Sequence, residues 1–117
     1  MKFNNPILLN AVANTGTKMS QAIPTQFMWS GSFQATFTDG SAAGTLVIQA
    51  SNDPIELLPS GETPVSWTNI ANAQATVTSG GSVLITIANL NYRWIRCSWT
   101  QSAGAQTLTV TAFLQGV

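Results

Sequence analysis

A chain of 117 residues and 12.4 kDa holds one domain with one core. Only 7% of the residues are charged, four Lys or Arg against four Asp or Glu, while 43 are Ser, Thr, Asn or Gln, so polar faces must be built from neutral hydroxyls and amides. Four cations cannot neutralise a run of phosphates, which argues against nucleic acid and anionic membrane surfaces as partners. With no histidine and one cysteine, a single chain can form no His/Cys zinc site, no Ser-His-Asp triad and no internal disulfide. No cofactor and no metal are expected. A net charge of zero gives weak colloidal repulsion and favours association, a constraint that a subunit fixed in an assembly escapes.

In chain order, Asn4, Asn5, Asn10, Asn14 and Gly16 punctuate short apolar pieces, Ile7-Leu8-Leu9 and Met19 to Ile23. Residues 1–24 therefore read as an N-terminal arm with short strands, and 25–117 as the main domain. The triplet Ile7, Leu8 and Leu9 is too short for a signal segment or a membrane span, so synthesis and use without Sec export are expected. In an arm that buries little against its own domain, these three residues are candidate contacts to a neighbouring chain.

The period-2 signal then dominates. From Phe27 to Phe37 each odd position is apolar or glycine, with Trp29, Phe33 and Ala35 among them, and Ser30, Ser32, Gln34 and Thr36 alternate. Thr45 to Ser51 reads as a strand buried on both sides, expected to form a hairpin with the preceding one across the Asp39-Gly40 turn. Asn52-Asp53-Pro54 stops it, and a loop rich in proline and glycine runs to Pro64. Val65 to Ile70 and Gln74 to Thr78 read as two short strands, followed by a Ser79-Gly80-Gly81-Ser82 turn. Val83, Ile85 and Ile87 carry the next strand.

Tyr92 to Thr100 has two substantial faces, Trp94, Arg96 and Ser98 on one and Ile95, Cys97 and Trp99 on the other, which places it centrally in a sheet. Leu108, Val110, Ala112 and Leu114 alternate with Thr107, Thr109, Thr111 and Phe113 to the end. Nowhere do ten residues keep a helical period. The fold class is all-β, an antiparallel β-sandwich of about 8 to 9 strands, jelly-roll or Greek-key. Its expected core is Phe33, Phe37, Leu46, Ile48, Trp67, Val77, Ile85, Ile95, Cys97, Leu108 and Val110.

Candidate sites are few. Asp53 with Glu56 or Glu62 is the strongest acid pair for glycoside hydrolysis, yet all three belong to a loop where solvated carboxylates are ordinary, and no enzyme activity is expected. The tryptophans, four in number, invite sugar stacking, although Trp29 and Trp67 fall on the apolar side of their alternation and read as core. Arg93 and Arg96 either pair with Asp53 and Glu56 or, with Trp94 between them, meet a neighbouring subunit.

The stretches Leu46-Val47-Ile48-Gln49-Ala50-Ser51-Asn52-Asp53, Trp67-Thr68 with Ile70, Tyr92-Arg93-Trp94-Ile95-Arg96, Thr100 through Gly104, and Leu108-Thr109-Val110 together resemble small virion proteins of bacteriophages. The resemblance covers residues 27 to 115. It implies a β-sandwich or jelly-roll chain that decorates capsids, occupies vertices or builds tail and fibre parts, assembled in the host cytoplasm. Its partners would be copies of itself or other virion proteins, and it would act by packing rather than chemistry. The alternative reading is a glycan-binding module of a phage tail, fibre or cell-surface device.

Overall fold

In a computed structural model, the residues described are 2–13, 17–25, 28–37, 43–54, 64–78, 81–103 and 107–116. They form ten strands: β1 (Lys2–Asn4), β2 (Ile7–Ala13), β3 (Thr17–Met19), β4 (Ile23–Pro24), β5 (Met28–Phe37), β6 (Ala43–Ser51), β7 (Thr68–Val77), β8 (Ser82–Ile87), β9 (Trp94–Ala103) and β10 (Thr107–Gly116). All pairings are antiparallel, and the described residues contain no helix. Sheet I runs β1/β2, β10, β5, β8; sheet II runs β3/β4, β9, β6, β7. When each split edge is counted as one position, the sheets read 1-8-3-6 and 2-7-4-5, the strand order of a jelly roll.

Ten strands replace the expected eight or nine because both N-terminal edges break in two. On β10 the Pro6 carbonyl continues the ladder between β1 and β2, accepting the Ala112 N–H at 3.0 Å. On β9 the gap between β3 and β4 is filled by Ser20, whose N–H donates to the Cys97 carbonyl and whose Oγ accepts the Cys97 N–H, both at 2.9 Å. A hydroxyl thus stands in for a strand carbonyl. Pro6 and Pro24 occupy edges, where a missing N–H costs no ladder bond.

The segment expected as an outward arm is consequently paired within its own domain. Leu8, Leu9 and Ile23 sit in the core cluster, since the triplet lies on an edge strand whose inner residues face the opposite sheet. The β5 and β6 hairpin does not form either: β5 belongs to sheet I and β6 to sheet II. Phe33, Ala35 and Phe37 can then meet Leu46 and Ile48 across the sandwich, face to face rather than side by side. β6 is buried on its inner face only, with Thr45, Val47 and Gln49 half-buried outside. The two short strands expected at 65–70 and 74–78 are one bulged strand, β7, and Val65 lies exposed before it.

Ten of the eleven expected core residues are buried. Trp67 is the exception, and Trp99 takes its place, fully buried with its ring 4.9 Å from that of Phe37. Trp29 also departs from expectation. The pairing of β5 with β10 slips between Ser30 and Met28, leaving Trp29 as the extra residue of a bulge, and it is 50% exposed.

Candidate interaction faces

The outer face of sheet I follows from its register. One row across the strands is Ile7, Thr111, Gln34 and Leu84; the next is Phe113, Ser32 and Thr86. Ile7, Leu84 and Phe113 are 54%, 63% and 44% exposed, so three large apolar side chains stud a ground of hydroxyls and amides. None of the side chains described on this face is charged. The sequence carried a signal for it: Leu84 and Phe113 occupy the polar phase of their strands, where alternation alone would place Ser or Thr. Of the N-terminal triplet, only Ile7 is available to a neighbour; Leu8 and Leu9 are committed inward.

The outer face of sheet II carries the charge. Gln49 on β6 pairs across the sheet with Arg96 on β9 and with Asn69 on β7. The three side chains form a line, Arg96 Nε donating to Gln49 Oε1 at 2.7 Å and Gln49 Nε2 to Asn69 Oδ1 at 2.9 Å. The guanidinium carbon lies 4.4 Å from the Trp67 ring centroid, a cation–π contact. Partial burial lowers the Arg96 pKa through desolvation, although a guanidinium stays protonated at any working pH.

Asp53 is used differently from the expected arginine pair. Asp53 accepts the N–H groups of Val65 and Ser66 at 2.8 and 3.0 Å, clamping together the two ends of the 54–64 loop. These backbone donors hold its carboxyl below the usual value. Trp94 is half-buried, its Nε1 donating to the Asp53 carbonyl at 3.2 Å, and this loop base is what covers the second ring of β9. Arg93 is exposed and tied through its backbone, its N–H donating to Asn52 Oδ1 and its carbonyl accepting the Thr25 N–H, both at 2.9 Å. Glu56 and Glu62 lie outside the described residues. Trp94 and Arg96 thus share one outer face, Arg93 borders it, and the sheet I residue Ile7 is separate from them. Sequence reasoning missed Trp67 and Gln49 as partners of Arg96, and Asn69 as the partner of Gln49, because cross-strand neighbours are visible only once register is known.

The buried Cys97 thiol is the remaining reactive group. Loss of solvation pushes its pKa up to about 11, against which the Ser20 contacts pull weakly.

No protein-family model matches the chain, and no curated protein matches it. Solved structures do. The PBSX exported protein XepA is 16% identical with a TM-score of 0.70, over 97% of this chain and 37% of XepA. The SPBc2 prophage-derived protein YomS is 10% identical with a TM-score of 0.55, over 97% of this chain and 95% of YomS. What is shared is the fold. This chain spans 37% of XepA but nearly the full length of YomS, and both similar structures are of phage-derived proteins.

Proposed function

We propose that the chain is a non-enzymatic structural component of a bacteriophage virion, a capsid-associated decoration, vertex or similar subunit, which packs against copies of itself and other virion proteins. The observation that carries this reading is the outer face of sheet I, uncharged among its described side chains and studded by Ile7, Leu84 and Phe113. Interface cores are depleted in charge and enriched in aromatic residues, and two copies of a neutral face do not repel. Four strand positions about 4.8 Å apart and ten-residue strands rising about 3.3 Å per residue give a patch of roughly 19 by 33 Å. That is of the same order as the roughly 800 Å² that each partner contributes to a stable interface. Fold similarity to phage-derived proteins supports the setting, at the level of analogy.

Leu84→Glu and Phe113→Glu test the reading. Both positions are exposed, so each variant should keep the wild-type urea midpoint while placing a carboxylate in the packed face. Sedimentation velocity should show an oligomer for the wild type and a monomer for both variants. A wild-type monomer at all concentrations, or variants that assemble normally, would overturn the assignment of this face.

A further inference from the structure

We infer that a pocket at the start of β7 is a binding site for an uncharged saccharide, independent of the packing face. Between the pairs Val47↔Gln74 and Gln49↔Asn69, residues 70–73 of β7 loop out opposite Ile48. Asn72 adopts a left-handed backbone with φ of 63°, a conformation that asparagine tolerates, and Ala73 returns to the core. β7 pairs again with the end of β6 at Gln49↔Asn69 and Ala50↔Thr68, and beside this bulge a concavity of about 330 Å³ opens. It lies on the sheet II side, away from the outer face of sheet I.

The lining has the chemistry of a sugar site. Ala50, Ile70 and Ala71 supply an apolar surface and Tyr92 an aromatic one, suited to the C–H face of a pyranose. Around them stand Thr68 and Asn52. The hydroxyls of Thr68 and Tyr92 have no hydrogen-bond partner among the described residues, and Asn52 uses its Oδ1 on Arg93, leaving its amide N–H groups as donors. Two hydroxyls and an amide in an open concavity match the donors and acceptors of sugar hydroxyls. None of the described residues that line the pocket is charged, so an anion gains no counter-charge from them and a neutral polyol pays no charge-desolvation penalty against them. The volume is at the small end of ligand pockets, about 300 to 1,000 Å³, which fits a short saccharide.

The test is an amide-resolved NMR titration of the full chain with D-glucose, D-galactose, N-acetyl-D-glucosamine and maltose, with D-glucuronate as the charged comparison. Saturable shifts are expected at Ser51, Asn52, Tyr92 and residues 66–71 for at least one neutral sugar. Thr68→Ala and Tyr92→Phe should each weaken binding about 3- to 10-fold, the loss of one neutral hydrogen bond. Ala71→Trp, which fills the pocket, should abolish it. The inference is overturned if no neutral sugar saturates these amides, if the shifts cluster elsewhere, if Thr68→Ala and Tyr92→Phe bind like the wild type, or if only glucuronate binds.

Discussion

Gly44→Ala separates backbone crowding from side-chain crowding. A Cβ on Gly44 would collide with the Thr100 carbonyl oxygen and lie 2.6 and 2.8 Å from Cζ2 and Cη2 of Trp99. Neither neighbour can yield: Thr100 is held in the β6–β9 ladder, and Trp99 is fully buried against Phe37. Alanine in a strand would otherwise gain about 0.5 to 1 kcal/mol over glycine from chain entropy. Overpacking costs about 1 to 3 kcal/mol, and contact with backbone places this site at the upper end, so a net loss of about 2 kcal/mol is expected. Gly31→Ala is the control. Its nearest atoms are the tips of Leu114 and Leu90 at 2.7 and 3.2 Å, which can rotate aside, so its midpoint should stay within about 1 kcal/mol of wild type. Urea unfolding followed by tryptophan fluorescence reads both. A Gly44→Ala midpoint at or above wild type, or Gly31→Ala as the worse variant, would refute the argument.

Deleting residues 1–24 removes the first position of both sheets together with Leu8, Leu9 and Ile23, so circular dichroism should show loss of cooperative unfolding; a truncated chain that folds and fails only to assemble would restore the arm. Cys97 should resist a thiol reagent at pH 8 until denaturant is added. Because its folded pKa of about 11 exceeds the ordinary value of 9.0, the native state holds a proton that the unfolded chain releases. Stability is therefore full below pH 9 and falls by about 2 to 3 kcal/mol as pH rises to 11. Cys97→Ala should flatten that fall, and an unchanged profile would refute it. Asp53→Ala should speed amide hydrogen exchange at Val65 and Ser66 while leaving Ile48 and Cys97 protected; unchanged exchange would mean that the clamp is redundant. The Asp53 carboxyl sits below its ordinary value, so the clamp is present at neutral pH and is lost as pH falls through that lowered value.

Alternation made the sandwich legible. Phe33, Leu46, Ile48, Ile95, Leu108 and Val110 announce inner faces because one side of each strand must leave water, and a period of 2 leaves little choice of side. Connectivity was not legible: 38–42 reads equally well as a hairpin turn or as the crossing between sheets that the jelly roll requires. Bulges were hidden for a related reason. One extra residue at Trp29, and four looped out at 70–73, change the phase of a strand without any glycine or proline to mark them. That is why alternation alone places Trp29 and Trp67 inward. The sites inherit this limit. Arg96 and Trp94 could be named from sequence, but the Gln49 line, the Trp67 stack and the pocket beside Tyr92 depend on which strands are neighbours. The sheet I face was half visible, in the apolar residues out of phase at Leu84 and Phe113.

The proposal that this jelly roll packs as a virion subunit through the outer face of sheet I is tested most directly by a cryo-EM map of particles purified from cells that express the chain from its native locus. Density is expected for the domain with Ile7, Leu84 and Phe113 covered by a neighbouring subunit, in a contact above about 1,000 Å² in total. A particle that lacks the chain, or one that carries it with this face turned to solvent, would contradict the account.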